Sequence, residues 1–389
     1  MTTISSDVSS FPDFHPLPVQ NAFYEQQRGL WHVTRYNEIQ RILNDYSDFS
    51  SAHRDEHPFH RQAALGQYTS IIGMDPPLHR QMRGLVSQAF TPRAIALMEP
   101  RIAQIARELL EKIIPRRHMD VIDDFSYPLP VTVIAEMLGI PTEDRARFRY
   151  WSNTVIAGDT DEQVEERTRV RDEMHEYFER ILEQCRHQQK DDDLISDLLK
   201  AELDGERLST PEVVGFCTLL LIAGNITTTN LIGNALLCFD EYPEAMQQLA
   251  ANSNPSLISS AIEEVLRFLP PVIALTRYTI ADTQIDSQQV KANQWVIPWL
   301  QSANRDEEQF PQANVFDIER NPNRHLTFGH SIHFCLGAPL ARLEARVALE
   351  EFFKRCKDIK RDRLVPLERI DSPFIYGVKH VPITFAPVV

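Results

Sequence analysis

The longest apolar run of the chain predicts a buried central helix. Ser209-Thr210-Pro211-Glu212 has the residues of a helix start, with glutamate three positions after serine and proline in the first turn. Apolar residues then occupy most faces as far as about Phe239, which predicts a core helix of roughly 30 residues. The run is interrupted at Ala223-Gly224-Asn225-Ile226-Thr227-Thr228-Thr229-Asn230. There the hydroxyls either bond back to the preceding turn or mark a local opening of the helix.

A second helical pattern follows a cysteine near the C-terminus. Its apolar positions recur at the spacing of one helical face: Leu336, Leu340, Leu343 and Val347. The charged residues between them are expected mostly on other faces: Arg342, Glu344, Arg346, Glu350 and Glu351. Cys335 directly precedes this helix, so free N–H groups at the helix N-terminus should favour an anionic sulfur and lower the pKa of the thiol. The flanking Gly329 and Gly337 would let the backbone approach something flat and bulky.

Shorter patterns predict mixed structure elsewhere, mainly α with small β-sheets. Strands are expected at Trp31–Thr34, Thr276–Ile280 and Gln294–Trp299. Helices are expected at Asn37–Leu43 and over most of 94–200, and a further helix is expected to end at Pro270-Pro271. Residues 51–72 are expected to form a surface loop or short helix, and residues 301–324 have no clear periodicity. We see no linker or repeat, so residues 1–389 are predicted to form a single domain.

Composition and charge exclude several classes of protein. The 389 residues are 24% charged and 43% hydrophobic, as in an ordinary globular protein, and the net charge of −15 argues against a nucleic-acid surface. Met1–Val19 lacks the features of a secretory signal, and Leu219–Ala223 is too short to span a bilayer. Five cysteines without framework spacing indicate reduced thiols in a cytoplasm.

Four uses of Cys335 remain open at this point. It could be a buried structural cysteine, or a zinc ligand with His330 and His333, although a second compact ligand pair is missing. A catalytic nucleophile would need a positioned base. The fourth possibility is a single thiolate ligand to a heme iron.

The cysteine stretch resembles the heme-binding loop of the cytochrome P450 family, usually written F-G-x-G-x-H-x-C-x-G. Five positions match: Phe328, Gly329, His333, Cys335 and Gly337. Ser331 stands where the family usually has glycine, which could reshape the loop. Further family motifs occur in the expected order along nearly the whole chain, and the resemblance is to the soluble bacterial branch. It implies a triangular helical prism around a buried heme b, with Cys335 as the iron ligand, in a cytoplasmic enzyme of secondary metabolism.

The resemblance also implies partners for the two heme propionates. Asp75-Pro76-Pro77 with His79 and Arg83 matches the family's D-P-P-x-H-x-x-x-R. Arg277 lies at a third propionate-binding position, His333 is expected to join the set, and His325 is a weaker candidate. Glu264 and Arg267 form the family's E-x-x-R, expected to be structural and completed by Arg320 or Arg305.

In the central helix the family pattern is A/G-G-x-D/E-T. Ala223, Gly224 and Thr227 match, but Ile226 replaces the acid that helps to deliver protons to bound dioxygen. The resemblance implies a monooxygenase in which Thr227, Gly224 and Asn225 are the catalytic candidates, with Asn225 positioning a water in place of the acid. Because Ile226 replaces the acid, two other enzyme types stay possible: a peroxygenase, and a non-oxygenating isomerase or dehydratase. A heme-thiolate sensor is the alternative outside enzymes.

The expected substrate is a small-to-medium, largely apolar organic molecule. Its candidate contacts are scattered, with core packing as the alternative reading: Ile72, Leu220, Ala223, Val272, Ile273, Leu275 and Phe374. Since the chain has no flavin or iron–sulfur module, electrons are expected from a ferredoxin or flavodoxin docking near Arg80, Arg342 and Arg346. Neither a nucleic acid nor a membrane is an expected partner.

Overall fold

The computed structural model describes residues 11–12, 14–52, 70–157, 161–188, 194–200, 202–203, 206–252 and 254–388. Most of the loop or short helix expected at 51–72 lies outside these ranges. The α-helices are α1 Tyr36–Asn44, α2 Leu78–Val86, α3 Pro92–Leu97, α4 Glu99–Ile113, α5 Pro128–Leu138, α6 Arg145–Ile156, α7 Asp161–Gln188, α8 Leu194–Lys200, α9 Thr210–Glu241, α10 Pro243–Asn252, α11 Pro255–Phe268, α12 Leu300–Ala303 and α13 Ala338–Phe353. The prediction of a mainly helical protein is confirmed.

The strands form small sheets at the margins of the helices. They are β1 Phe23–Glu25, β2 Leu30–Val33, β3 Phe49–Ser50, β4 His118–Asp120, β5 Glu202–Leu203, β6 Glu206–Arg207, β7 Arg277–Thr279, β8 Thr283–Ile285, β9 Gln288–Val290, β10 Trp295–Pro298, β11 Cys356–Arg361 and β12 Pro382–Pro387. The largest sheet has the order β1-β2-β10-β7-β3, in which β10 is parallel to β2 and the other pairs are antiparallel. Because β7 lies inside this sheet, Arg277 at its start is held between two neighbouring strands.

Helix α9 is the centre of the core. The predicted capping box forms between Ser209 and Glu212, and the helix runs for 32 residues. It is long and apolar enough to cross a membrane, but most of its apolar window is buried inside the protein. The helix is continuous through the polar cluster, where the Thr227 hydroxyl donates to the Ala223 carbonyl at 2.7 Å. Back-bonding, rather than a local opening, is therefore the arrangement found.

The E-x-x-R pair anchors the irregular segment before the cysteine loop. Glu264 and Arg267 are fully buried and paired twice, at 2.7 and 2.8 Å. Arg267 also donates to the carbonyl groups of Asn304, Ala313 and Val315. Of the two arginines expected to complete the network, Arg320 contacts Glu264 at 3.3 Å, whereas Arg305 donates instead to Asn314 and to the Phe268 carbonyl. A buried pair with its hydrogen bonds satisfied fixes one arrangement of this segment.

The other faces of α13 are not all exposed. Glu344 and Glu351, expected on faces other than the apolar one, are only 1% and 6% exposed. Both point into contacts with other helices: Glu351 pairs with Arg107 of α4 and Arg355, and Glu344 faces α9. Helix α13 packs against other helices on several sides, so none of its faces is fully solvent-exposed.

Candidate active site

The backbone of the loop before α13 is pinned at both ends. The Thr327 hydroxyl donates to the carbonyl of Leu266 in α11 at 2.6 Å, and the Cys335 amide donates to the Phe328 carbonyl at 2.8 Å. Gly329 has φ +71°, a conformation in which glycine avoids strain. Ser331 has φ +59°, a left-handed conformation that glycine adopts at little cost. The serine in place of glycine therefore still allows a left-handed backbone at this position.

The sulfur of Cys335 lies at the N-terminus of α13, as expected. The amides of Gly337 and Ala338 donate toward it, and Arg83 and Arg342 lie close enough to favour its negative form. The expected lowering of its pKa is wrong, because burial outweighs these groups and raises the pKa of the thiol. A bound metal cation would reverse that balance, since a coordinating thiol loses its proton outright.

Four cationic or imidazole side chains converge beside this loop. The rings of His79 and His333 lie 4.2 Å apart, and Arg83 donates to the Phe334 carbonyl at 2.6 Å. Burial lowers the pKa of His333 to about 3, and the positive charge of Arg277, with smaller effects from His79 and Arg83, acts in the same direction. The structure therefore brings together the four residues named from the sequence as propionate partners.

Among the described residues, none of these four groups is hydrogen-bonded or ion-paired to an anion, and Asp75 acts on His79 and Arg277 only through its nearby charge. Burial lowers the pKa of Arg277 to about 10, and the hydrogen bond found for its guanidinium is to the carbonyl of the preceding Thr276. The nearby Asp75 carboxylate accepts from Ser50 and from the Ser51 amide instead. Within the described ranges neither Arg83 nor Arg277 forms a salt bridge, and Nε2 of both His79 and His333 is buried without a hydrogen-bond partner. Such a set requires a ligand that carries negative charge.

The loop and the four side chains fit a heme. A Cβ added to Gly337 would meet nothing within 4 Å, and the Cys335 side chain is accessible although it lies deep in the protein. The sulfur and the glycine thus face an internal space rather than packed side chains. The orphaned imidazole nitrogens and the two arginines have the charge and hydrogen-bonding capacity that two carboxylates need.

On α9, only some of the catalytic candidates share a face. Ala223 is exposed and Thr227 is partly exposed in a helix that is otherwise almost wholly buried, and they lie one turn apart. A Cβ on Gly224 would meet Ile134 Cδ1 of α5 at 2.8 Å, so this glycine permits close helix packing. Asn225 is fully buried, its Oδ1 accepts from Thr229 at 3.3 Å, and its Nδ2, on the side of Tyr127, is buried without a hydrogen-bond partner. The structure therefore does not bring Asn225 to the face of Ala223 and Thr227.

The expected substrate contacts separate into two groups. Val272 pairs with Ile375, and the Ile273 amide donates to the Phe374 carbonyl at 2.9 Å, so the C-terminal segment lies against residues 272–273. Ile273 is 5% exposed in the main core. Leu220 is also nearly buried, at 9% exposed. The other five candidates are partly or fully accessible: Ile72, Ala223, Val272, Leu275 and Phe374.

Three further residues named from the sequence make contacts other than those expected. His325 bonds to Glu263 at 3.1 Å and not to the propionate set. Although burial would raise it, the pKa of Glu263 is held at about 2 by Arg342 and His325, so Arg342 ties α13 to α11. Arg346 pairs with Glu99 and Glu350. Among the described residues, the group of side chains with metal-ligand spacing is Asp120, Asp123 and His380, which does not include His330, His333 or Cys335, so the structure adds no support for the zinc alternative.

Sequence reasoning missed a cavity of about 460 Å³ beside α9. Ile226 lines it together with Thr229 and Asn230, and the opposite walls include Arg149 of α6 and His380 near the C-terminus. No sequence signal joins these segments, because they meet only in the folded chain. The residue that replaces the family's acid therefore faces this cavity.

Several known proteins are similar to this chain in sequence and in fold. The family model described as Cytochrome P450 matches residues 22–141 and 131–372. The chain is 41% identical over 362 residues to cyclomarin C epoxidase CymV of Salinispora arenicola, and 37% identical over 366 residues to the erythromycin C-12 hydroxylase of Saccharopolyspora erythraea; each alignment covers 92% of this chain and 90% of the relative. The crystal structure of CYP109E1 from Bacillus megaterium in complex with testosterone has a TM-score of 0.87 and 42% identity, covering 94% of both chains. Since these likenesses extend over nearly the whole chain and include its cysteine loop, this chain belongs to the cytochrome P450 family and is a monooxygenase of that type.

Proposed function

We propose that this enzyme binds heme b through Cys335 and inserts one atom of dioxygen into a small-to-medium, largely apolar substrate. The observation that carries the proposal is the set of His79, Arg83, Arg277 and His333, four converging groups that form no ion pair with the described residues, next to an accessible cysteine sulfur. Heme held by a thiolate supplies dioxygen cleavage and oxygen transfer. The four side chains hold the propionates and orient the ring, while Phe328, Gly329 and Gly337 shape the loop beside it.

The protein's own part in the reaction is to bind, position and supply protons. Ala223 leaves room beside Thr227, whose hydroxyl is oriented by its bond to the Ala223 carbonyl. In this orientation the Thr227 oxygen keeps lone pairs free to accept a hydrogen bond, and it would pass a proton toward the pocket only after its hydroxyl turned away from the Ala223 carbonyl. Gly224 acts through helix packing, and Asn225 acts at most through Tyr127 and Thr229.

The proposed substrate is recognised mainly by apolar surface. Val272, Leu275 and Phe374 are partly buried apolar residues near one another, and Leu220 lies on the Ala223 side of α9. Relatives are named for the epoxidation of cyclomarin C and the hydroxylation of erythromycin, and one was crystallised with testosterone. These names support a multi-ring or macrocyclic organic compound as the substrate class.

We also propose a separate ferredoxin or flavodoxin as electron donor. Of the three arginines named for docking, Arg342 and Arg346 are committed to internal ion pairs, whereas Arg80 is exposed. Docking therefore depends on Arg80 more than on the other two. The five cysteines are all free, which supports a reducing, cytoplasmic location.

The test compares turnover with a reductase system and labelled dioxygen against turnover with hydrogen peroxide alone. With a ferredoxin, its reductase and ¹⁸O₂, the proposal predicts one labelled oxygen atom in the product and the other in water. Turnover with hydrogen peroxide alone would support a peroxygenase, the second candidate, which Ile226 favours by removing the family's acid. A redox-neutral product would indicate an isomerase or dehydratase. Substrate-dependent binding of a partner without turnover in either regime would indicate a sensor.

A further inference from the structure

The guanidinium of Arg342 covers one side of the cysteine loop. Its central carbon lies 4.4 Å from the centre of the Phe328 ring. The carbonyl of the same Phe328 accepts from the Cys335 amide at 2.8 Å. Arg342 also lies close enough to the sulfur to favour its negative form. A positive charge is thus held against the segment that presents the sulfur.

A carboxylate of the neighbouring helix α11 is paired with this charge. Glu263 accepts two hydrogen bonds from Arg342, at 2.7 and 2.8 Å, in the fork arrangement that fixes a guanidinium in place. The His325 side chain, which is 3% exposed, bonds to the same carboxylate at 3.1 Å. Because the pKa of Glu263 is held at about 2, this carboxylate is ionised at neutral pH. The sulfur therefore lies near a balanced pair of charges and not near a free cation.

Other charges of α13 and of the loop are less well placed to act on the sulfur. Arg346 pairs with Glu350, which follows Arg342 by eight residues and so lies roughly 12 Å further along the helix from the loop. Arg83, the other arginine near the sulfur, donates to the Phe334 carbonyl and belongs to the propionate set. Since the Coulomb energy falls with distance, the pair of Arg342 with its carboxylate is the pair of α13 that affects the sulfur most.

We propose that Glu263 and Arg342 together tune the reduction potential of the heme iron, by fixing the net charge that the Cys335 sulfur senses. The inference rests on the proposed binding of heme through that sulfur. One-electron reduction adds negative charge to the heme, so a nearby positive charge raises the potential and a nearby negative charge lowers it. In the intact pair these two effects largely cancel. Because both residues act through Cys335, they are positioning residues and not catalytic ones.

Removing one charge at a time separates this tuning from a structural role. Glu263→Gln leaves Arg342 unpaired and should raise the potential, whereas Arg342→Gln leaves the Glu263 carboxylate without its arginine and should lower it. We expect the equilibrium constant for one-electron reduction to change roughly three- to tenfold in each, where tenfold equals about 59 mV. The double variant should return close to the wild type, and Arg342→Lys, which keeps the charge, should stay close to it. Glu350→Gln is the control and should keep the wild-type potential.

The potential of each holoenzyme is measured by titration with dithionite and soluble mediators, so docking of a protein donor has no influence on it. Heme content and the carbon monoxide difference spectrum are recorded on the same samples. If Arg342→Gln does not retain heme, Glu263→Gln and Arg342→Lys decide, since the tuning predicts a raised potential in the first and an unchanged one in the second.

Three results would refute the tuning while the heme-thiolate enzyme stands. They are wild-type potentials in both single variants, shifts of the same sign in both, and a shift in Glu350→Gln as large as that in Glu263→Gln. A wild type that binds no heme, or whose carbon monoxide spectrum lacks the thiolate band, overturns both this inference and the proposed function.

Discussion

At the scale of single residues, burial decides the protonation states that sequence patterns leave open. The helix N-terminus predicts a lowered pKa for the Cys335 thiol, yet desolvation raises it although Arg83 and Arg342 favour the thiolate. The alternation of charges along α13 likewise gave no sign that Glu344 is buried, because it stands among arginines and glutamates that are paired. A local sequence pattern identifies a chemical group, but the folded environment sets its pKa.

The first prediction concerns stability and pH. The pKa of Glu344 is 4.5 ordinarily and about 8 in the folded protein. Between these values the folded state binds a proton that the unfolded state lacks, so this group lowers the free energy of unfolding as pH rises, by at most about 1.4 kcal/mol per pH unit. Glu344→Gln removes that slope. Thermal midpoints from pH 5 to pH 8.5 should show the variant gaining on the wild type toward high pH.

An exposed glutamate provides the control for that series. Glu111→Gln on α4 should follow the wild-type midpoint at every pH. Parallel curves for Glu344→Gln and wild type would show that the Glu344 carboxyl ionises normally in the folded protein.

A second residue-scale prediction follows from the backbone of Ser331. Its φ of +59° costs a non-glycine residue about 1–2 kcal/mol, whereas glycine loses about 0.5–1 kcal/mol through its freer unfolded chain. Ser331→Gly should therefore raise the free energy of unfolding by up to about 1 kcal/mol, measured by urea unfolding. Ser331→Ala keeps the strain and should show no gain. A loss of stability in Ser331→Gly would mean that the serine side chain stabilises the loop.

At the scale of elements, the sequence predicted the boundaries that local signals mark but not the contacts between helices. The capping box at Ser209 and Glu212 and the end of α11 before Pro270 are local signals, and both are found. The packing of α5 on α9 is not local: Gly224 matched a family motif, but its neighbour Ile134 lies 90 residues earlier. Asn225, expected to position water, turns out to face Tyr127 for the same reason.

The prediction at this scale tests that helix contact. Gly224→Ala improves helix propensity by up to about 1 kcal/mol, but its Cβ would approach Ile134 Cδ1 to 2.8 Å in a buried interface, where overpacking costs roughly 1–3 kcal/mol. We expect a net loss of about 1 kcal/mol in the free energy of unfolding. The added Cβ would also approach Ile134 Cγ1 to 3.1 Å, and Ile134→Ala removes both carbons, so in that background Gly224→Ala should cost little or become stabilising. An equal loss in both backgrounds would place the clash elsewhere.

At the scale of the whole molecule, the site is an assembly of distant segments. Helix α2 supplies His79 and Arg83, β7 supplies Arg277, and the loop before α13 supplies His333 and Cys335. Their spacing in the sequence contains no information about this meeting, so only the family resemblance could name the set. The fully buried Glu264–Arg267 pair helps to hold the last of these segments in place.

The central claim is that the Cys335 sulfur is the axial ligand of a heme iron. The most direct test is the carbon monoxide difference spectrum of the reduced holoenzyme, with heme content measured on the same samples. We predict that Cys335→Ala loses the thiolate band and most of its heme, while Cys217→Ala, at a buried cysteine of α9, keeps both. A Cys335→Ala protein with full heme content and an unchanged carbon monoxide spectrum would contradict the account.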